Sequence, residues 1–279
     1  MSKWYLWLMW PVTVWSMIAT CIHGRAFIVE RNAFRKLKLQ SWAIPRYTIQ
    51  YLFQWQREAV SDLIEEAIIE ADASGTKVLS LGLLNQGEEI NRYGELYIQR
   101  YPQLKVKVVD GSSLVVAIVL NSIPKGTTQV LLRGSLSKVA YAIASALCQR
   151  DIQVSTVYKF EHERLKVSTE FGDNLVLSKS YAEKKVHNDC LYHHTPAMVA
   201  PSSLENLNSC ENWLPRRAMS ASRIAGIVHA LEGWNVNECG QKMFDVEQVW
   251  EASLKHGFRP LMTPNKSQAF HLNASWPGF

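Results

Sequence analysis

The run from Trp4 to Ile22, WYLWLMWPVTVWSMIATCI, holds nineteen residues without a charged side chain, and Arg25, Arg31, Arg35, Lys36 and Lys38 follow at once. A bilayer's hydrocarbon core of about 30 Å takes roughly 20 apolar residues at about 1.5 Å rise each. The run is therefore expected as a single N-terminal transmembrane helix over 4–22. Trp4, Trp7 and Trp10 lie near one end, where indoles favour the headgroup level. The basic residues on the C-terminal side assign the rest of the chain to the cytosolic face by the positive-inside tendency. Two other readings stay open. A secretory signal also opens on a basic residue, here Lys3, but no clean small-x-small cleavage site comes after it. Pro11 also suits a helix that starts or kinks inside a soluble core.

With 279 residues and 47% hydrophobic composition, the remainder has room for one domain with a sizeable core. The net charge of +5 gathers largely beside the apolar run, which points to an anionic lipid leaflet and away from nucleic acid. Cys21, Cys148, Cys190, Cys210 and Cys239 form no CxxC pair, so reduced thiols in a cytosolic domain are expected and no zinc site is spelled out.

Residues 23–54 read as a basic and aromatic membrane-proximal connector broken by Pro45. Ala59, Val60, Leu63, Ile64, Ala67, Ile68 and Ala71 recur at helical spacing between acidic residues, so an amphipathic helix spans 55–72 and ends at Ser74-Gly75. Short β-rich runs then alternate with helical patterns. Strands are expected over 77–84, 105–109, 129–132, 153–157 and 174–177, with helices over 88–100, 112–121 and 136–150 between them. Such alternation argues for right-handed βαβ units, hence an α/β domain over 55–262 built on a Rossmann-like, mostly parallel sheet. Two further helices are expected over 215–231 and 246–256, and residues 263–279 read as a mobile tail.

Chemistry is sought first at the turn after the third strand. Gly134, Ser137 and Lys138 open the next helix there, where free N–H groups and the helix dipole attract phosphate. The spacing Gly134-x-x-Ser137-x-x-Ala140 is a degenerate dinucleotide fingerprint, and Tyr158-Lys159 after the fourth strand would suit the 2′-phosphate of NADP(H). The competing reading is a tight βα turn with a capping serine. A second turn, Gly82 to Glu89, is weighed in the same way. His187, His193 and His194 lack metal-ligand spacing, and His229 with Glu232 reads as a surface contact, so no metal site and no catalytic residue is assigned in this chain.

The strings WYLWLMWPVT, VLSLGLLNQGEEINRYGELYIQR, KVVDGSSLVVAIVLNSIPKGTTQVLLRG, SCENWLPRRAMSA, GIVHALEGWN and VWEASLKHGFRPL closely resemble the C-terminal half of the plant Eceriferum/Wax2 family of very-long-chain aldehyde decarbonylases. The resemblance implies a role in cuticular wax synthesis at the endoplasmic reticulum membrane, where aldehydes become alkanes. In that family a multi-span N-terminal domain carries H-x3-H and H-x2-H-H clusters that hold two irons, and these have no counterpart in this sequence. Di-iron is therefore expected only in a full-length relative, and the chain is expected to be an accessory or truncated member that partners the bilayer and full-length relatives. The alternative is an NADP(H)-dependent fatty acyl reductase using the Gly134 turn. Between Tyr181 and Cys190 the chain is shorter than the family pattern, which leaves the far edge of the sheet open.

Overall fold

The computed structural model describes residues 5–82, 85–132, 137–156, 175–177, 196–205 and 214–261, with single positions 163, 165, 207 and 211. Gly134, Tyr158, Lys159, His187, Cys190, His193 and His194 lie outside the described residues, as do the shortened stretch and the tail.

Helix α1 spans Tyr5–His23. It is not the transmembrane helix expected, because no helix among the described residues is long and apolar enough to cross a membrane. The absence of charge concealed how often polar groups interrupt the run. Pro11 lacks an N–H, the Thr13 hydroxyl donates to the Met9 carbonyl at 3.0 Å, and the Ser16 and Tyr47 hydroxyls meet at 2.8 Å. The Arg46 guanidinium sits on the Thr20 carbonyl near the helix end.

Within residues 23–54, expected as a connector, the chain forms an antiparallel hairpin over 27–43 and a short 3-10 helix over Thr48–Leu52. Strands β1 (Phe27–Phe34) and β2 (Leu37–Ala43) turn at Arg35-Lys36, with Arg35 left-handed at φ 54°. Helix α2 (Gln54–Ala73) comes next as read, burying Val60, Ile64 and Ile68, and Gly75 takes a left-handed φ of 77° beyond its end. The expected helix over 88–100 is divided into α3 (Glu88–Asn91) and α4 (Glu95–Arg100). Arg92, Tyr93 and Gly94 are consecutively left-handed, and the Asn91 side chain accepts the Gly94 N–H at 3.1 Å. Gly94 is favoured there by its φ of 84°, which L side chains rarely adopt, and an added Cβ would also meet the Leu81 side chain at 2.7 Å.

Strand β3 (Val78–Ser80) pairs in parallel with β4 (Lys107–Val109), and β5 (Gln129–Leu132), β6 (Gln153–Thr156) and β7 (Leu175–Leu177) form a second parallel set. The parallel pairing was legible, but the single Rossmann-like sheet is not what forms. The described strands make four sheets of two or three strands, two of them antiparallel, so the architecture is mixed α/β. One reason is visible at β4: its second edge is occupied by the chain at Glu238, whose N–H donates to the Val108 carbonyl at 3.0 Å. The other antiparallel sheet places β8 (Ala197–Val199) between β10 (Ala218–Ser220) and β11 (Arg259–Pro260), while β9 (Leu204–Glu205) lies on β1.

Helix α5 (Ser112–Ser122) is the centre of the packing. Its Leu114, Ala117 and Ile118 join α7 (Ala221–Glu232) and α8 (Val246–Lys255) in one core, while Val116 and Leu120 join α6 (Lys138–Cys148) and β6 in another. A helix apolar on all sides belongs inside, and this one is buried on both. Its N-cap, Gly111, is left-handed at φ 74°, and an added Cβ would lie 2.5 Å from the Ser222 backbone and 3.1 Å from the Ala225 side chain. Gly111→Ala should therefore lower unfolding free energy by about 1–2 kcal/mol for the conformation and about 1–3 kcal/mol more for the collision. Gly126→Ala, at φ 86° with nothing within 4 Å, should show the conformational part alone. Denaturant unfolding of both variants measures the difference, and equal losses would refute the packing account.

Candidate functional site

Strand β4 runs directly into Asp110, at the carboxyl edge of a parallel pair, where α/β proteins place their polar chemistry. Asp110 is fully buried. Its backbone N–H donates to the Glu238 carbonyl at 2.8 Å, and its Oδ1 accepts the Ser112 N–H at 2.9 Å. Its Oδ2 receives the ammonium of Lys138, the first residue of α6. Lys138 Nζ also donates to the carbonyls of Gly240, at 2.8 Å, and Lys242, at 3.3 Å. All three ammonium N–H groups thus have acceptors within the protein. The Tyr93 ring lies 5.3 Å from the same nitrogen, brought there by the left-handed Arg92-Tyr93 step.

Glu238 closes the other side. Its Oε1 accepts the Ser113 N–H at 2.7 Å, and its Oε2 meets His229 Nε2 at 3.1 Å. His229 is fully buried, 4.9 Å from the Trp234 ring and 5.0 Å from the Phe244 ring, and its Nδ1 has no hydrogen-bond partner. The Ser113 hydroxyl accepts the Phe244 N–H at 2.7 Å. Cys239, next to Glu238, is a free buried thiol.

Burial dominates the electrostatics. It pushes the Asp110 carboxyl up to about 6 from 3.8, with Lys138 pulling it down and Glu238 pushing it further up. Burial also pushes the Cys239 thiol up to about 11, aided by the Asp110 charge, so this sulfur stays protonated and is not an activated nucleophile. The Tyr93 phenol is raised by burial against a hydrogen bond from the Lys138 amide. What the arrangement does chemically is to hold protons and fix geometry. Among the described residues no group of three or more His, Cys, Asp and Glu is placed to hold a metal ion.

Of the residues singled out in the sequence, Gly134 lies outside the described residues. Ser137 caps α6, accepting the Ala140 N–H at 3.4 Å. Lys138 stands beside it but turns its ammonium inward to Asp110. His229 was paired in sequence with Glu232, yet its partner is Glu238, while Glu232 bonds Lys255 and His256. Asp110 and Glu238 were missed. The available signal for the first was an acid between a strand and Gly-Ser-Ser at a helix start, where an aspartate satisfies free N–H groups.

The family model described as "CER1-like, C-terminal domain" matches residues 130–186 and 180–260, so its two pieces meet where the sequence reads as shortened. The chain belongs to the CER1-like family, and the resemblance read in the sequence is borne out. It is 50% identical over 94% of its length to "Very-long-chain aldehyde decarbonylase CER1" of Arabidopsis thaliana. It is 47% identical over 93% to "Very-long-chain aldehyde decarbonylase GL1-5" of Oryza sativa subsp. indica and 44% identical over 95% to "Protein CER1-like 2" of Arabidopsis thaliana. These matches cover 48%, 47% and 48% of the relatives, so the chain spans about half their length.

The raised Asp110 carboxyl sets a sign. The folded state binds that proton more tightly than the unfolded chain, so the group's contribution to stability is complete below about pH 4 and is lost as pH rises through about 6. Lys138→Met strands the carboxylate and should cost about 3–5 kcal/mol at neutral pH, with a smaller loss near pH 4. Adding Asp110→Asn should recover much of the neutral-pH loss. Urea unfolding of the two variants across this range reads the effect, and a deficit that ignores pH would exclude the pairing as its source.

Proposed function

We propose that these residues serve the aldehyde-decarbonylating, alkane-forming system of cuticular wax synthesis in an accessory role, associating with a relative that supplies the iron chemistry. The observation that carries this reading is the 50% identity over 94% of the chain to a relative named as a very-long-chain aldehyde decarbonylase. The donor sets support the division of labour. His229 and Glu238 are engaged with each other, Asp110 is engaged with Lys138, and no group of three or more His, Cys, Asp and Glu among the described residues is placed to hold a metal ion, so these residues do not fit a di-iron centre. The chain's own contribution is then a rigid α/β body, fixed by the Asp110–Lys138 and Glu238–His229 pairs, that presents a surface to its partner.

Exposed apolar groups on that surface support work at the endoplasmic reticulum membrane. Met9, Trp10, Val12, Trp15 and Ile18 of α1 are exposed, as are Phe27 and Val29 at the start of the hairpin. Arg25, Arg31 and Lys38 are exposed near them. Apolar and aromatic groups followed by cations suit contact with an anionic bilayer surface.

Co-expression of the tagged chain with a full-length relative in a host that supplies long-chain aldehydes tests the association. The relative should co-purify in mild detergent and its alkane yield should change. Neither co-purification nor a change in yield would discard the accessory role. Flotation with vesicles containing phosphatidylserine tests the contact with lipid separately: Trp10→Ser with Trp15→Ser should reduce binding, and unaltered flotation would remove α1 from the contact.

A further inference from the structure

The turn of the N-terminal hairpin is tied to the far end of the chain through one histidine. His256, the C-cap of α8, is 6% exposed. On one side its Nε2 lies 2.6 Å from Glu232 Oε1, at the end of α7. On the other its Nδ1 lies 2.7 Å from the Arg35 guanidinium, in the hairpin turn. A guanidinium can only donate, so Nδ1 must accept and carry no proton. Glu232 is ionised, its carboxyl held below its usual range first by the Lys255 hydrogen bond and also by His256, so it accepts from Nε2–H. The two neighbours together require the neutral Nε2–H tautomer.

We propose that His256 is a proton-sensitive clasp: neutral, it holds the hairpin turn to α7 and α8 through Arg35, and protonated at Nδ1 it releases Arg35 while keeping Glu232. A proton on Nδ1 faces the Arg35 N–H with a second donor and a second positive charge, so the contact cannot survive it. The charged groups facing the ring are Glu232 from α7, Arg35 from the hairpin and Lys255 from α8 itself. Lys255 is bound to Glu232 at 2.8 and 3.1 Å, which keeps that carboxylate in place when the ring gains its proton. Release therefore runs in one direction, towards the hairpin. The consequence reaches α1, which joins the hairpin through residues 24–26. Acidification loosens the mounting of the exposed apolar helix without disturbing the α7–α8 core.

Nitrogen-15 NMR of the full chain near pH 8 should show His256 as the Nε2–H tautomer, and an Nδ1–H tautomer or a histidinium there would overturn the clasp. Hydrogen exchange supplies the second reading. After correction for intrinsic rates, amides of residues 35–38 should exchange about tenfold faster or more when pH falls from about 8 to about 5, the effect of losing one charge-assisted hydrogen bond. Amides of α8 should show no such step. His256→Gln and Arg35→Met should each abolish the pH step, because one cannot take the proton and the other has nothing to release. A step that persists in either folded variant would overturn the proposal.

Discussion

The buried ion pair between Asp110 and Lys138 is the constraint on which the rest of the fold depends. Both groups are removed from water, and an isolated charge there would carry a desolvation penalty of several kcal/mol. Neither can move without the other, nor without the carbonyls of Gly240 and Lys242 that complete the ammonium's shell. Three distant pieces of chain, the end of β4, the start of α6 and the segment after Glu238, are thereby locked to one another. Glu238 extends the lock, since its backbone pairs with β4 while its side chain serves both the α5 start and His229. Apolar burial drives the collapse, yet it is non-directional. The polar cluster determines which of the similar apolar packings is adopted.

That division explains what the sequence disclosed. Helical and strand periodicities report which face a residue turns to an apolar interior, so α2, α5, β5, β6 and α8 were legible to within a few residues. Nothing periodic reports a long-range ion pair. Lys138 read as a cation at a helix start facing a phosphate, while the aspartate that neutralises it sits on the preceding βα turn. The break at Arg92-Tyr93-Gly94 was hidden similarly. Helical patterning continued through it, and only the packing of Gly94 under Leu81 and the reach of Tyr93 to Lys138 require the left-handed turn.

The hairpin was missed for a different physical reason: its alternation is inverted. Along β1, Phe27, Val29 and Arg31 are exposed, while Glu30 and Asn32 are buried. A strand is ordinarily recognised by apolar residues facing in, and here the polar ones do. Glu30 is satisfied by the Arg223 guanidinium, and Asn32 bridges the two, donating to Glu30 at 3.1 Å and accepting from Arg223 at 3.2 Å. The same inversion leaves Phe27, Ile28 and Val29 uncovered beside an apolar helix, which would be a liability on a monomer in water unless something covers them.

The polar joint also determines how the N-terminal segment is held. Its apolar attachment is small: Phe34 meets Phe258 edge to face at 5.9 Å, with Leu37 and Leu39 packed beside it. A joint made of such contacts alone would tolerate sliding of the hairpin on the body. A one-residue slip of β1 would, however, send Val29 inward and Glu30 out, stranding the Arg223 charge against an apolar side chain. The buried acid thus fixes register, Phe34 supplies attraction, and Arg35 on His256 closes the end of the turn. Two of these three contacts depend on ionised or hydrogen-bonded groups, and Arg35 is exposed, so the tightness of the joint answers to salt concentration more than the buried Asp110–Lys138 pair does.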